Sequence, residues 1–270
     1  MQETSPAFPL VPPAASAAIP PSLTEDGFLN GRLRILQPEK GYRAGIDAVF
    51  LAASIPCAEG DRIFEAGTGT GVAALCLAFR VPGLQITGIE VAARYAMLAE
   101  ENARRNECGA GIKVIHADIK DALRRDAAHM PAAGSFAHAF ANPPYFEDGK
   151  STPSPVALKA GAHNSATEDL DLWVKAMHAL VESRGTATLI YRAEALPKVL
   201  ATFEGRFGDI TVAPLFPRDG LAATRIIIQG VKGSRAPIQL LPGLVLHGND
   251  GKFTAPAEAI LRDGAAWRMR

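Results

Sequence analysis

The residues best suited to chemistry stand together in a short run that reads ANPPYF. Asn142 carries a carbonyl acceptor and an amide donor, and two prolines, Pro143 and Pro144, remove backbone N–H groups and stiffen the loop. An exocyclic amine of a base, or a side-chain amide, can donate its two hydrogens to the oxygens of Asn142 and Pro143 while it stacks on Tyr145 or Phe146. The run therefore predicts a site that holds a flat amine or amide for transfer to its nitrogen. The alternative is an ordinary Asn-Pro-Pro turn after a strand, and the preceding sequence argues against it.

A glycine-rich turn precedes this run in the chain. Gly67, Gly69 and Gly71 follow the pattern G-x-G-x-G, which lets the backbone pass close to a ligand at the start of a helix. A dinucleotide fingerprint is G-x-G-x-x-G, so the third glycine stands one residue too early for it. Glu65 lies just before the turn, where its carboxylate would repel a pyrophosphate and attract a cationic amino group. The turn therefore favours a sulfonium amino-acid ligand over NAD.

Two further carboxylates follow predicted strands. Glu90 ends the second strand of the predicted sheet, where it can accept hydrogen bonds from both hydroxyls of a ribose. Asp118 ends the third, where it can accept from an adenine amino group. An exposed strand end is the alternative for Glu90. For Asp118, capping of the following helical turn is an equally good interpretation, and it does not exclude the first.

The elements that must position these residues alternate between strand and helix from residue 62 onward. We predict strands at 62–66, 85–90, 113–118 and 136–141, and helices at 72–80, 92–106 and 121–127. Such alternation predicts an α/β fold with a Rossmann-like, doubly wound, mostly parallel seven-stranded sheet and a C-terminal antiparallel strand. Ligands of these sheets bind at the carboxyl ends of the strands, which is where all the motifs above fall.

The rest of the chain is predicted to flank this sheet. Residues 28–35 form a hairpin on a type I′ turn at Asn30-Gly31, and Asp47 is placed as the N-cap of an apolar helix at 48–53. The second half is predicted as a helix at 168–182 that is ended by Gly185, a further helix at 193–207, a long polar loop at 150–164, and strands at 186–191, 210–216 and 225–231. Residues 241–247 and a helix-like stretch at 255–262 form a C-terminal addition. We divide the chain into a disordered Pro/Ala-rich tail (1–22), a hairpin and helix (23–58), the main domain (59–235) and a C-terminal extension (236–270).

Composition limits the partners. The chain has 270 residues, 48% of them hydrophobic, and a formal net charge of zero, so nucleic acid would have to meet a local basic patch. No apolar run approaches the roughly 20 residues that cross a bilayer, and no secretory signal is recognisable, so we expect a cytoplasmic protein and no membrane partner. Three widely spaced cysteines predict neither a disulfide framework nor a metal site. The oligomeric state is left open.

The order of these motifs, from Glu65 through the glycines, Glu90 and Asp118 to NPPY, resembles the class I S-adenosylmethionine-dependent methyltransferases that methylate amino groups. NPPY at this place is similar to the motif of adenine N6, ribosomal RNA guanine N2 and protein-glutamine N5 methyltransferases. Residues 41–56, GYRAGIDAVFLAASIP, resemble the K-x-G-T-D-A-x-L-L-G segment of the bacterial family that modifies adenine 37 of a valine tRNA, with Arg43-Ala44 for Lys-Val and Ile46 for Thr.

The resemblance implies a methyltransferase with S-adenosylmethionine as cofactor and S-adenosylhomocysteine as product. It implies that the substrate is tRNA or another structured RNA, which is methylated on adenine N6. The alternatives are methylation of a protein glutamine at N5 and of ribosomal RNA guanine at N2. A non-enzymatic adapter that binds S-adenosylmethionine is the least favoured alternative. The resemblance places Asn142, Pro143, Pro144 and Tyr145 in catalysis. It also implies a set of cofactor contacts that consists of Arg43, Asp47, Glu65, Gly67, Thr68, Gly69, Gly71, Glu90, Asp118, Ile119 and Asn142. An RNA substrate further predicts basic residues around Asn142, either Lys40, Arg43, Lys159 and Arg192 or the terminal Arg262, Arg268 and Arg270.

Overall fold

The computed structural model describes residues 22–124, 128–145 and 166–269. The tail up to residue 21, Phe146, the polar loop at 150–164, Lys159 and Arg270 lie outside the described residues.

A single mixed sheet forms the centre of the described chain. Its nine strands are β3 (Arg62–Ala66), β4 (Gln85–Glu90), β5 (Ile112–His116), β6 (Phe136–Ala141), β7 (Val181–Arg192), β8 (Phe207–Arg218), β9 (Arg225–Lys232), β10 (Gln239–Leu240) and β11 (Leu244–His247). They run in the order β10-β8-β9-β7-β6-β3-β4-β5, and β11 also pairs with β8. Only β9 runs antiparallel to its neighbours. The predicted Rossmann-like fold is confirmed, and the C-terminal extension adds the short strands β10 and β11 to it.

Helices cover both faces of this sheet. They are α1 (Ile46–Ser54), α2 (Val72–Arg80), α3 (Ala93–Arg105), α4 (Ala166–Leu180), α5 (Leu196–Phe203) and α6 (Ala255–Asp263). Alternate strand residues serve the two faces, as the two-residue period of a strand requires: Ile63 packs with α1, α2 and α6, whereas Phe64 packs with α4 and α5. Strands buried on both faces explain the near-continuous apolar runs of the sequence.

The N-terminal hairpin is confirmed. β1 (Leu23–Phe28) and β2 (Leu33–Pro38) pair antiparallel, Asn30 and Gly31 have φ values of 57° and 78°, and the Arg32 N–H donates to the Leu29 carbonyl at 3.2 Å. Two positive φ values with this hydrogen bond are the signature of the predicted type I′ turn.

Three predicted helices have wrong limits. The helix at 121–127 is a 3-10 turn, Ile119–Leu123, and residues 125–127 lie outside the described part. The helix at 193–207 is a short 3-10 turn followed by α5, and Phe207 already belongs to β8.

The helix at 168–182 ends at Leu180, and Gly185 does not end it but lies within β7. A Cβ on Gly185 would stand 2.4 Å from the Ala137 carbonyl oxygen of β6. This glycine is therefore needed for the close approach of two strands, a requirement that the sequence pattern does not distinguish from a helix stop signal.

Asn102 of α3 and Asn106, the C-cap of that helix, attach the hairpin to the sheet domain. Asn102 accepts from the Leu36 N–H at 2.8 Å and donates to the Leu36 carbonyl at 3.0 Å, while Asn106 makes the same pair of bonds with Arg34, both at 3.0 Å. Their spacing of four residues places both amides on one side of the helix, where they pair with β2 as a neighbouring strand would. Asn102 also donates to the Thr70 carbonyl at 2.9 Å, so the same side chain reaches the glycine turn.

The described residues contain no helix that is long and apolar enough to cross a membrane.

We expect Asn102→Ala to lower the free energy of unfolding by about 3 kcal/mol. Asn102 is fully buried, and its removal leaves the N–H and carbonyl groups of Leu36 and the Thr70 carbonyl without a partner, at a cost of about 1–3 kcal/mol for a buried unsatisfied group. Urea denaturation measures the loss. Asn249→Ala is the matched control, because Asn249 is exposed and its replacement should cost less than about 0.5 kcal/mol. Equal losses in the two variants would contradict the proposed attachment.

Candidate active site

Strand register brings the predicted site residues to one edge of the sheet. Ala66 at the end of β3 is paired with Ile89 of β4 on one side and with Ala141 of β6 on the other. The next residues along the three strands are Gly67, Glu90 and Asn142, which therefore stand side by side at strand spacings of about 5 Å. The chain order also reverses between β3 and β6, and such a switch point opens the crevice in which α/β sheets bind ligands.

The glycine turn is held open toward this crevice by positive φ angles and by Glu90. Gly67, Gly69 and Gly71 have φ values of 68°, 57° and 84°, which L-residues with a Cβ rarely adopt. The Thr68 N–H donates to the Ile89 carbonyl, and the Gly69 N–H donates to Glu90 Oε2, both at 2.9 Å. Gly71 is the N-cap of α2, so the positive end of that helix faces the turn.

Two aromatic side chains that the sequence interpretation missed lie against this turn. A Cβ on Gly67 would be 2.3 Å from the Trp173 ring of α4, and a Cβ on Gly69 would be 2.8 Å from the Tyr42 ring. Tyr42 is 45% exposed, and its backbone N–H donates to the Tyr95 hydroxyl at 3.2 Å. These contacts explain why glycine is required at both positions. Only tertiary packing could show them, because Trp173 belongs to no local motif and the resemblance of residues 41–56 gives Tyr42 no role.

Glu65 is a buried carboxylate that faces this site. Its Oε2 atom is buried and has no hydrogen-bond partner in the described structure. Burial raises the pKa of the Glu65 carboxyl well above its usual range, and the nearby charge of Glu90 adds to this shift. A buried acceptor beside a glycine cradle fits the cationic amino group of an amino-acid ligand, so the residues present fit S-adenosylmethionine.

Glu90 is shared between two backbone N–H groups. Its Oε2 accepts from Gly69 and its Oε1 accepts from Ala92, both at 2.9 Å, while burial raises its pKa. Each carboxylate oxygen keeps a further lone pair for a ribose hydroxyl.

Asp118 caps the 3-10 turn that follows β5, with Oδ1 accepting from the Lys120 N–H at 2.9 Å, and Ile119 begins that turn.

Tyr145 of the ANPPYF run is held by the N-terminal segment and by β9. Its hydroxyl donates to Asp47 Oδ2 at 2.5 Å, and the Arg225 Nε donates to the same oxygen at 2.8 Å. The prediction that Asp47 caps α1 is wrong, because Gly45 is the N-cap and the helix already begins at Ile46. Asp47 lies in the first turn, which frees its carboxylate to reach Tyr145 across the crevice.

The predicted basic residues do not all gather around this crevice. Arg192 does, with its guanidinium 5.9 Å from the Tyr145 ring centre, and Arg225, which the sequence interpretation missed, lies at 4.7 Å. Arg43 is instead engaged by the hairpin through Asp26, Thr24 and the Pro38 carbonyl.

Arg262 and Arg268 lie at the opposite edge of the sheet. The Arg262 carbonyl accepts a hydrogen bond from Arg32, whose guanidinium covers Phe79 near the C-terminal end of α2. Trp267, the residue before Arg268, donates its backbone N–H to the Ala53 carbonyl near the C-terminal end of α1. The alternative in which the terminal arginines gather at the crevice is therefore wrong for Arg262 and Arg268, because the C-terminal extension packs near the C-terminal ends of α1 and α2.

No metal site accompanies the crevice within the described ranges, where no group of three or more His, Cys, Asp or Glu side chains is placed to hold an ion. The cysteines are unpaired.

A doubly wound sheet with a glycine turn at its switch point, a buried carboxylate oxygen and a strand-end carboxylate fits an α/β protein that binds an amino-acid nucleoside. Comparison with known proteins identifies its family. The model of the methyltransferase small domain matches residues 44–182, more than half of the chain. The chain therefore belongs to the methyltransferase small domain family and is an S-adenosylmethionine-dependent methyltransferase.

Relatives agree with this assignment. A tRNA1(Val) (adenine(37)-N6)-methyltransferase of Vibrio campbellii is 28% identical over 61% of this chain and 64% of that relative. A protein of the same name from a Shewanella species is 26% identical over 83% of this chain and 92% of the relative. Among solved structures, a predicted O-methyltransferase of Agrobacterium tumefaciens is similar with a TM-score of 0.68 and 26% identity, covering 82% of this chain and 98% of that one.

We expect Glu65→Gln to stabilise the cofactor-free protein increasingly as pH rises. A carboxyl whose pKa is raised by folding contributes stability below its unfolded pKa, and this contribution is lost as pH rises toward the folded value. The two proteins should therefore unfold at similar urea concentrations near pH 4 and diverge, with the variant more stable, toward about pH 8.

The same variant should bind S-adenosylmethionine about tenfold or more weakly in calorimetry, the scale of a lost charge-assisted hydrogen bond. Glu59→Gln is the control, because Glu59 is exposed and away from the crevice, and it should leave cofactor affinity unchanged. If Glu65→Gln binds S-adenosylmethionine with wild-type affinity, Glu65 does not contact the cofactor.

Proposed function

We propose that this protein methylates an exocyclic amino nitrogen, and that its substrate is an adenine of tRNA, modified at N6. The observation that carries the proposal is the position of the Asn142-Pro143 loop beside Gly67 at the switch point of the sheet, with the Tyr145 ring fixed next to it.

The loop suits a nitrogen acceptor better than an oxygen acceptor. An exocyclic amine has two hydrogens, and the Asn142 side-chain oxygen with the Pro143 carbonyl offers two acceptors, whereas a hydroxyl has one hydrogen to donate. The two prolines keep these oxygens in place, since neither residue can join a helix or a strand ladder through an N–H. The loop therefore selects an amine or amide by hydrogen-bond count.

The proposed roles of the remaining residues follow from their contacts. Glu65 would hold the amino group of the cofactor, and Glu90 the ribose hydroxyls, while Asp118 and Ile119 would contact the adenine. Gly67, Thr68, Gly69 and Gly71 would form the cradle. For Asp47 and Arg43, which the resemblance placed at the cofactor, the observed partners are Tyr145, Arg225 and the hairpin.

Catalysis needs positioning more than proton transfer. S-adenosylmethionine supplies, when bound, an electrophilic methyl group on a positively charged sulfur. Hydrogen bonds to Asn142 and Pro143 would draw the acceptor nitrogen out of conjugation with its ring and stabilise the positive charge that develops there. A strong general base is unnecessary, because the acceptor proton can leave to solvent after the transfer.

Two observations favour tRNA as the carrier of the adenine. The relatives that align along most of the chain carry the name of a tRNA adenine methyltransferase. The Tyr145 ring also lies at the mouth of the crevice between the arginines of β7 and β9, which suits a base that has left its stack. A tRNA substrate would place the reaction in the cytoplasm.

We expect Asn142→Ala to lower single-turnover methyl transfer about 100-fold while cofactor affinity stays within a few fold. The loss is on the scale of removing one preorganised hydrogen-bonding group from a transition state, and Asn142 is assigned to the acceptor. Rapid-quench measurement with saturating cofactor gives the rate, and calorimetry gives the affinity. Asn249→Ala, at an exposed position, should change neither. An unchanged transfer rate in Asn142→Ala would refute the mechanism.

Incubation with methyl-tritiated cofactor identifies the substrate. Total tRNA, ribosomal RNA and a protein extract are offered separately, each from cells that lack this protein, and we expect label in tRNA that digests to N6-methyladenosine. The affinity for RNA should fall as the salt concentration rises, but only with a shallow slope, because the chain has no net charge. We expect the slope to correspond to roughly three to five neutralised phosphates. Label found as methylguanosine in ribosomal RNA or as methylglutamine in protein would replace the proposal with that activity.

A further inference from the structure

The Tyr145 ring is restrained on more sides than a loop residue ordinarily is. Its hydroxyl is bonded to Asp47, its face carries the guanidinium of Arg225 at 4.7 Å, and the Tyr191 ring packs edge-on at 5.4 Å between centroids. Tyr145 follows the last residue of β6 by four positions, so these contacts fix the ANPPYF loop close to the point at which it leaves the sheet.

The restraint depends on one carboxylate oxygen. Asp47 Oδ2 accepts both the Tyr145 hydroxyl at 2.5 Å and the Arg225 Nε at 2.8 Å, and the two donors belong to elements that are far apart in sequence. The side chains of Asp47 and Arg225 are only 22% and 29% exposed, so solvent competes weakly for these bonds. Burial and the Asp47 charge raise the pKa of the Tyr145 hydroxyl, which keeps it a donor.

The helix that supplies Asp47 also belongs to the segment that covers the glycine turn. Tyr42 lies on Gly69, and five residues later Asp47 reaches Tyr145 on the other side of the crevice. A short stretch of chain therefore contacts both the cofactor cradle and the acceptor loop. The hairpin and its attachment to α3 hold that stretch in place.

We propose that Asp47 and Arg225 are positioning residues that hold the Tyr145 ring in the orientation in which it stacks on the acceptor base. The inference rests on the proposed function of the ANPPYF loop. The Arg225 guanidinium packs on the ring at 4.7 Å, closer than that of Arg192 at 5.9 Å, and the Asp47 bond stops rotation of the ring away from that position. Neither residue touches the reacting atoms, so their loss should affect the acceptor and spare the cofactor.

Asp47→Ala should lower kcat/KM for the RNA acceptor about tenfold, with most of the loss in KM, while cofactor affinity stays within about threefold. Asp47→Asn keeps an acceptor oxygen for the Tyr145 hydroxyl and should restore part of the loss. Tyr145→Phe keeps the ring but removes the hydroxyl, and adding it to Asp47→Ala should cost little more than Asp47→Ala alone, because both changes break the same bond.

Asp171→Ala is the matched control. It removes an Asp–Arg pair of similar exposure, Arg206–Asp171 at 3.0 Å with side chains 24% and 27% exposed, near the start of β8 and away from the crevice. It also removes the ion pair of Asp171 with Lys175, one helical turn further along α4, at 2.6 Å. It should lose comparable stability in urea and leave kcat/KM unchanged. A fall in kcat/KM equal to that of Asp47→Ala would mean that loss of an ion pair, and not orientation of the ring, lowers activity, and would overturn the inference.

Amide hydrogen exchange provides a readout that needs no substrate. The Tyr145 amide should exchange faster in Asp47→Ala than in wild type and remain slow in Asp171→Ala, both with cofactor bound. If the wild type methylates no RNA but the exchange rates differ as expected, the proposed substrate fails and the positioning role stands. The positioning role would be refuted if Asp47→Ala changes neither the exchange rate of the Tyr145 amide nor kcat/KM. Here kcat/KM is measured with the acceptor that the labelling experiment identifies.

Discussion

The arrangement of the site depends on the parallel pairing of β3 with β4 and β6. Because Ala66 is paired with both Ile89 and Ala141, the residues that follow, Gly67, Glu90 and Asn142, emerge at the same level of the sheet. A shift of one residue in either pairing would turn these side chains to the opposite face and separate the acceptor loop from the glycine cradle. The buried residues on both faces of these strands, such as Ile63 and Phe64, fix the register and therefore the site.

The segment before the sheet closes the site from the other side. Hydrogen bonds from Asn102 and Asn106 attach β2 to α3, and the chain that follows places Tyr42 over Gly69 and Asp47 against Tyr145. The hairpin thus acts as a support for two contacts in the crevice, although it contributes no strand to the central sheet. The match to the family model begins at residue 44 and therefore includes the Asp47 helix but not the hairpin.

Charge is distributed unequally between the two halves of the crevice. The side of the glycine turn carries the carboxyls of Glu65, which is buried, and Glu90, which is partly buried. Burial raises the pKa of both carboxyls, and the nearby charge of Glu90 raises the pKa of Glu65 further. The acceptor side carries Arg192 and Arg225 around Tyr145, each close to a carboxylate partner, Glu194 or Asp47. The two environments therefore differ in charge although the chain as a whole has no net charge, and this difference is what the proposed pair of ligands, a cationic amino acid and a nucleic acid base, would require.

The sequence by itself determined the alternating elements, the Rossmann-like class and the motifs at strand ends, because hydrophobic periodicity, glycine patterns and the NPPY run are local properties. It placed the strands β3, β4 and β6 at their observed limits. It misplaced Asp47 as a cap and Gly185 as a helix stop, since a short polar side chain and a glycine serve several local roles and packing selects among them. Only the tertiary structure brought Trp173 to Gly67 and Arg225 to Tyr145, because these contacts join residues about 80 or more positions apart and no local pattern records which distant side chain will fill a given space.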